Sequence, residues 1–350
     1  MPMPFNWRQR RLFYSSWLRL RNWEFWPPWL FYIPVGFYFI FLAIRYRSLT
    51  LFTASNPGIE DGGVVGESKS AILSALAGAK KNIARFTLLP SAAPARRLAA
   101  LSDFMRREKL PFPVVLKPDA GERGNEVAII RSAAEASAYL AVHGAPVIAQ
   151  EYIPGLEFGV FYFRFPESEH GEIFAITDKR FPVLTGDGVS TLADLILSDA
   201  RAVTMARFHL QKFAARRAEV IPAGHRFALV ELGTHCKGSL FLDGGHLVTE
   251  QLRQKIDAIS RQFEGFYFGR YDIRVPSLAD FQQGKNLKIV ELNGVTSEAT
   301  SIYDPRHSLW HAYGVLCRQW SLAFEIGRQN ALLGAKVTPL SVLLRRLRGR

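Results

Sequence analysis

Cysteine is scarce in this chain: Cys236 and Cys317 stand far apart and form no CxxC pair. That excludes a disulfide-stapled scaffold and a thiolate zinc site, and it fits a reducing compartment. No repeat of solenoid period is present. No GxxxxGK[ST] loop occurs either, so a P-loop nucleotide site is excluded. Acidic residues are in deficit, 31 Asp+Glu against 44 Lys+Arg, which leaves a formal net charge of +13 over 350 residues. Such an excess points to an anionic partner: nucleic acid, a membrane surface or a phosphorylated substrate. The arginines crowd the two ends, at Arg8, Arg10, Arg11, Arg19 and Arg21 and again at Arg345, Arg346, Arg348 and Arg350. Basic clusters that flank the body rather than mark a groove argue against nucleic acid. What is abundant is apolar residues, 48% of the chain, enough for a globular body of one or two domains.

The longest uncharged run, Phe25 to Ile44, is dense in Trp, Tyr and Phe. Its length is roughly that of a bilayer-crossing helix. Arg45 and Arg47 close it on one side, and Trp17, Trp23, Trp26 and Trp29 supply an aromatic belt. The run is too aromatic and too long for a cleaved signal, and no A-x-A-like site follows. A single crossing would put the N-terminal arginines on the side opposite a body that the cysteines place in a reducing compartment, against the positive-inside tendency. Pro27, Pro28, Pro34 and Gly36 interrupt the helix. The expectation is a re-entrant or monotopic anchor on the cytoplasmic face of a membrane, a bacterial inner membrane, with arginines on anionic head groups. The C-terminal LLRRLRGR is a solvated basic tail or a second surface contact.

From Leu49 the pattern becomes ordinary α/β. Leu49–Thr53 has the look of a short strand, Asn56-Pro57-Gly58 of a turn, and residues 70–83 carry helical apolar spacing. Residues 113–116 form a buried-strand pattern that delivers Lys117-Pro118. A glycine-bearing loop follows, with Gly121 and Gly124, and then another apolar run. Strand, lysine, Gly-x-x-Gly turn and strand is how a hairpin flap would fold over a triphosphate: the glycines admit backbone N–H groups and the lysine supplies a point charge. Ser132 and Glu135 read as a capping box for the next helix.

Downstream, Gly269 to Arg274 precedes a loop and Leu287 to Asn293 reads as a strand. Residues two apart on a strand face the same way, so Glu291 and Asn293 aim their oxygens together. With Asp272 from a neighbouring strand they make an oxygen-rich set suited to Mg²⁺, with Mn²⁺ an alternative.

The order of these motifs resembles the ATP-grasp superfamily, especially its D-alanine–D-alanine ligase, glutathione synthetase and cyanophycin synthetase branches, over residues 66–305. The resemblance implies a mixed α/β (α+β) ATP-grasp fold in which two subdomains sandwich ATP. Gly66-Glu67-Ser68-Lys69 stands where those families carry a first ATP lysine, and Lys117 matches the strand lysine. Gln150, Glu151, Tyr152 and Ile153 match the adenine hinge and Glu157 the ribose acid. Asp272, Glu291 and Asn293 match the magnesium ligands, and Arg270 an arginine that supports the reacting phosphate. Phe181 to Leu192 contains Gly186-Asp187-Gly188, similar to the GDG stretch of glutathione and cyanophycin synthetases. Lys179 and Arg180 just before it, and Ser297 and Glu298 after the metal strand, are candidate substrate contacts or plain structural residues. The His235–Cys236 pair has no third group that would make it a nucleophile.

The implied activity is an ATP-dependent carboxylate–amine ligation through an acyl phosphate. Rivals are phosphoryl transfer, acid–thiol ligation and a non-catalytic nucleotide sensor on a membrane. The expected organisation is a membrane-associated segment at 1–48, a first subdomain at 49–149, a second at 150–330 and a basic tail at 331–350. Only about twenty residues separate the apolar run from Lys69, too few for the extra N-terminal domain of these ligases. The anchor is expected to take its place, with a lipid-linked substrate.

Overall fold

The computed structural model describes residues 6–64, 66–120, 126–231 and 238–348. It is a mixed α/β chain built on antiparallel sheets, with strands β1 (Phe86–Leu89), β2 (Val114–Pro118), β3 (Ala128–Ile130), β4 (Val147–Glu151), β5 (Leu156–Phe163), β6 (Glu172–Arg180), β7 (Val183–Thr185), β8 (Arg226–Ala228), β9 (Leu240–Asp243), β10 (Phe268–Val275) and β11 (Lys288–Asn293). Two compact units are present, and neither is a continuous stretch. One comprises 1–37, 178–242 and 302–313; the other comprises 38–177, 243–301 and 314–350. The chain passes between them inside β6, β9 and the helices Ile33–Arg45 and Leu309–Leu332.

In the larger unit, a small antiparallel sheet has the order β1-β4-β2-β3. Helices Pro94–Arg107 and Ala133–Val142 cover it with Leu101, Phe104, Ala136 and Leu140. Ser132 caps the second helix by accepting from Glu135 N–H, and the Glu135 carboxylate accepts from Arg131 N–H. The capping expectation thus holds with the reciprocal bond moved by one residue. A larger sheet sets β10 between β11 and β5, both antiparallel to it. Strand alternation sends Tyr271, Ile273, Phe158, Val160 and Leu292 into a core shared with Ile256 and Ile259 of the helix Glu250–Ser260. The other face of β10, β11 and β5 carries the charged residues.

Asn56 is a buried hub in this unit. Its amide nitrogen donates to the Gly62 and Phe268 carbonyls, and its oxygen accepts from Tyr267 and Phe268 N–H. The turn expected at Asn56-Pro57-Gly58 is thereby pinned to the start of β10. The strand expected at Leu49–Thr53 is instead a 3-10 turn, Leu51–Ser55, with every residue buried. Close packing selects it: a Cβ on Gly327 would fall 2.3 Å from the Leu51 carbonyl oxygen. The single helix expected over 70–83 is split into Lys69–Ala75 and a 3-10 segment, Ala77–Asn82. The C-terminal arginines are not a free tail. Leu340–Arg348 is a helix whose Arg346 reaches Glu60 at 2.7 Å and Asp61 at 2.5 Å, while Thr338 also donates to Asp61.

The smaller unit contains the β7–β8 pair and the helices Trp7–Arg21 and Leu192–Ser198. Arg8 grips Asp194 with two bonds of 2.8 and 2.9 Å, and Arg11 donates to the Leu197 carbonyl. Arg19 approaches Met205 and the Phe25 ring. These three arginines hold the helix to its own unit, which corrects the expectation that the whole N-terminal cluster faces lipid. The GDG stretch is a local turn: Asp187 accepts from Val189 N–H, Ser190 N–H and Ser190 Oγ, and Thr191 caps the helix that follows. The Ser190 hydroxyl and the two N–H groups hold the Asp187 carboxyl down at about 2.

The apolar run after Phe25 is broken into a short helix, Pro28–Phe31, and a 13-residue helix, Ile33–Arg45. Among the described residues no helix is long and apolar enough to cross a membrane. The prolines end one segment and start the next, as their positions predict.

Two measurements test this packing. Asn56→Ala removes the side-chain partner of two N–H groups and of the Phe268 carbonyl in the interior, while the Gly62 carbonyl keeps Val295 N–H, and should cost about 3 kcal/mol or more, read as a lower urea midpoint. His209, in the smaller unit, is fully buried, and neither ring nitrogen has a hydrogen-bond partner among the described residues. Burial, aided by Lys212, lowers its pKa from 6.5 to about 4. The unfolded chain therefore takes up a proton that the folded chain refuses. The stability at stake is present above pH 6.5 and is lost as pH falls towards 4, by about 3 kcal/mol in total. His209→Leu should flatten the fall of melting temperature over that window.

Candidate functional site

The site is written in the strand register. Across β10 and β11, Arg270 lies opposite Asn293 and Asp272 opposite Glu291. Across β10 and β5, Asp272 faces Gly159 and Arg274 faces Glu157. Alternation places Arg270, Asp272 and Arg274 on one face of β10, with Glu291 and Asn293 beside them on β11. The three expected metal ligands and the expected arginine thus converge on one surface. Arg270 donates to Asp272 at 3.3 Å and to the Glu298 carbonyl at 2.9 Å, which fixes its guanidinium over the sheet.

Between Glu291 and Ile289 the register slips, and Val290 is an extra residue. Its carbonyl accepts from Lys117 Nζ at 2.9 Å and from Gln150 Nε2 at 3.2 Å. Lys117 and Gln150 share one face of the small sheet, where Lys117 pairs with Ile148 and Val115 with Gln150. The bulge therefore links the two sheets of the larger unit at the site. Lys117 is buried, and desolvation holds its ammonium below the ordinary lysine value. Glu291, Asp272 and Glu157 pull it back up, while Lys69 pushes it further down. Lys69, Lys117 and the carboxylates accordingly share one electrostatic neighbourhood.

Lys69 opens a helix whose first turn is tied to the residue just beyond Lys117-Pro118. The Asp119 carbonyl accepts from Lys69 N–H, and its carboxylate accepts from Ser70 N–H at 2.8 Å and from Ser68 Oγ at 2.7 Å. The expected flap residues Gly121 and Gly124, and the His235–Cys236 pair, lie outside the described residues.

The hinge residues divide. Gln150 turns inward to Val290, whereas the Glu151 carboxylate turns outward to Arg85, 2.6 Å away. Burial raises the Glu151 pKa, but the bonds to Arg85 outweigh it and the net shift is downward. Arg274 donates to the Ile153 carbonyl and, through Nε and Nη2, to a single Glu157 oxygen, Oε2, at 2.9 and 2.7 Å. The Arg274 guanidinium also lies 5.8 Å from the Tyr152 ring centroid. Ser297 is buried and donates to the Gly294 carbonyl, and the Ser297 carbonyl accepts from Gln319, so its polar atoms close a loop. Lys179 and Arg180 belong to the smaller unit, where Lys179 lies 5.8 Å from the Phe241 ring centroid and Arg180 pairs with Asp178 at 2.7 Å.

Four contributors escaped the sequence reading. The Val290 carbonyl has a signal: in Lys288–Asn293 the core residues Ile289 and Leu292 are three apart rather than two, the mark of a bulge. Arg274 was two residues beyond a predicted ligand on the same strand face. Asp119 follows Lys117-Pro118 directly. Glu67 had no signal. Its Oε2 lies 2.5 Å from where a Cβ on Gly63 would sit and 3.3 Å from one on Gly294, so those two glycines make room for the carboxylate beside Asn293. Gly63 also holds a left-handed φ of 87°.

Among the described residues no group of three His, Cys, Asp or Glu side chains converges. The candidate metal set is two carboxylates and an amide, all hard oxygen donors, and this composition fits Mg²⁺ or Mn²⁺ rather than zinc. Asn293 Nδ2 is buried and has no hydrogen-bond partner among the described residues.

No protein-family model matches the chain, and no curated protein matches it. Solved structures do. A bifunctional glutathione synthetase from Pasteurella multocida matches at 15% identity and a TM-score of 0.40, over 72% of this chain but only 36% of its own length. A D-cycloserine synthetase matches at 15% identity and 0.42, over 72% of this chain and 70% of its own. A D-alanine–D-alanine ligase from Bacillus anthracis, complexed with ATP, matches at 15% identity and 0.41, over 76% and 68%. Likeness at this level says nothing of activity; the chemistry is argued from the side chains.

The buried pair Arg274–Glu157 tests the architecture. Arg274→Met takes the ion-pair partner away from a buried carboxylate and should cost about 3–5 kcal/mol, seen as a lower urea midpoint. The double change Arg274→Met with Glu157→Gln should recover most of that loss.

Proposed function

We infer that this chain is an ATP-dependent carboxylate–amine ligase of the ATP-grasp type. The observation that supports the reading best is the single sheet face bearing Arg270, Asp272, Glu291 and Asn293, with buried Lys117 bonded to the bulge in the same ladder. Two lysines and an arginine beside two carboxylates and an amide suit a polyphosphate that arrives with a divalent cation. A cation held by Asp272, Glu291 and Asn293 would supply charge neutralisation at the phosphate oxygens. Everything else falls to the protein.

Lys117 enters as a preplaced charge. Its desolvation has been met in folding, so its field acts at full strength on a phosphate brought alongside. Lys69 adds a second positive charge, oriented by the Asp119 tie. Gln150 and the backbone around Tyr152 and Ile153 form the candidate base-binding edge, and Glu157 the candidate ribose contact. In the first step a substrate carboxylate oxygen attacks the γ-phosphorus, the bond to the β-phosphate bridge oxygen breaks, and ADP leaves. In the second, the amine nitrogen attacks the acyl carbon, inorganic phosphate departs with the former carboxylate oxygen, and the nitrogen gives up a proton. Arg270, held by Asp272 and the Glu298 carbonyl, is placed to stabilise the oxyanion of that step. The finer part of the proposal is that one of the two substrates is borne on a membrane.

The test is release of ADP and inorganic phosphate from detergent-purified full-length chain with Mg-ATP, candidate amino acids and a total membrane-lipid extract. Equal yields of ADP, phosphate and amide are expected. Asn293→Ala and Lys117→Ala should each lower kcat by about 10²–10³-fold while leaving the circular dichroism spectrum unchanged. ADP without inorganic phosphate would mean phosphoryl transfer to an alcohol and would overturn the ligase reading.

A further inference from the structure

The helix Ile33–Arg45 is apolar on both sides, and only one side is used. Val35, Leu42 and Ala43 are buried, and Phe39 packs edge-on to Phe52, Trp320 and Phe324 in the larger unit. The opposite side presents Ile33, Phe37, Ile40, Phe41 and Ile44 to solvent, with Phe37 69% and Ile44 72% exposed. At 100° per residue these five fall within one stripe, and no polar side chain interrupts it. Trp29, in the short helix just before, is 71% exposed. A side this apolar, left bare, is not what a soluble helix shows.

Two other helices repeat the pattern. Trp7–Arg21 exposes Phe13, Trp17 and Leu20, three positions on one stripe, with Arg21 stacked on Trp17. Leu340–Arg348 exposes Leu340, Leu344 and Leu347 beside Arg345 and Arg348, and Arg346 pins it to Glu60 and Asp61. Each stripe is thus bordered by arginines, and Arg45 and Arg47 stand exposed at the end of the central helix. The recurrence of an apolar stripe bordered by arginines suits a bilayer, which matches each by its chemistry alone: acyl chains for the stripe and anionic head groups for the guanidinium groups. The central helix, about 20 Å long, is too short for the roughly 30 Å hydrocarbon core, so it lies in the interface rather than across it.

We propose that the exposed stripe of Ile33–Arg45, flanked by Arg45 and Arg47, is a monotopic docking surface for an anionic lipid bilayer. The surface is independent of catalysis, and its test needs no turnover.

Full-length chain is floated with phosphatidylcholine vesicles with or without phosphatidylglycerol, in the absence of ATP. Capture is expected on the phosphatidylglycerol vesicles and weaker capture on the neutral ones. Phe37→Asp with Phe41→Asp should lower capture about tenfold or more, with an unchanged melting temperature since both rings are solvent-facing. Arg45→Ser with Arg47→Ser should erase most of the preference for the anionic vesicles while leaving the apolar contribution. Undiminished capture of the aspartate variant would overturn the proposal. So would a lipid-free dimer that this variant dissociates in a chain that never floats, since the stripe would then belong to a second copy.

Discussion

The carbonyl of Val290 is the point on which the site turns. A β-bulge rotates it out of the ladder, and two side chains from another sheet, Lys117 and Gln150, donate to it. Without the bulge that oxygen would bond to β10, and Lys117 would lose this acceptor in a dry environment. The cost of burying the ammonium is offset there by the carbonyl and by the neighbouring Glu291, Asp272 and Glu157 charges. The alternation on either side of the bulge then does two jobs. Ile289 and Leu292 go to the core, and Glu291 and Asn293 go to the functional face. One inserted residue thus fixes both the joining of the sheets and the aim of the ligands.

Electrostatics divides the charged residues into two groups. Arg274–Glu157 and Arg85–Glu151 are matched pairs with close geometry. At the candidate site Asp272 meets Arg270 at 3.3 Å, and the Asn293 amide nitrogen has no hydrogen-bond partner among the described residues. The same contrast separates Ser297, whose hydroxyl is committed to Gly294, from Arg270, whose guanidinium is held but faces outward on the sheet.

Much of this was legible from residue order. The strand with Glu291 and Asn293 was readable because period-2 spacing is a direct consequence of the pleat, and its pairing with the strand of Asp272 followed. The N-terminal breaks were readable from Pro28 and Pro34. What could not be read depended on contacts between residues far apart in the chain. Leu51–Ser55 has strand-like composition, yet the close approach of Gly327 makes it a buried 3-10 turn. The C-terminal arginines look like a tail until Asp61, nearly three hundred residues earlier, is placed beside Arg346. The Arg8–Asp194 pair is of the same kind. Long-range pairing of charges leaves no periodic trace, so charge runs at chain ends are the least interpretable part of such a sequence.

The Asp119 tie has a mechanical consequence. One residue receives the N–H of Lys69, the N–H of Ser70 and the hydroxyl of Ser68, and it sits two residues past Lys117. The segments that carry the two lysines are thereby coupled through a single acid, like the two arms of a caliper. Their spacing is set by hydrogen bonds within the chain, so a change at Asp119 would loosen both arms at once.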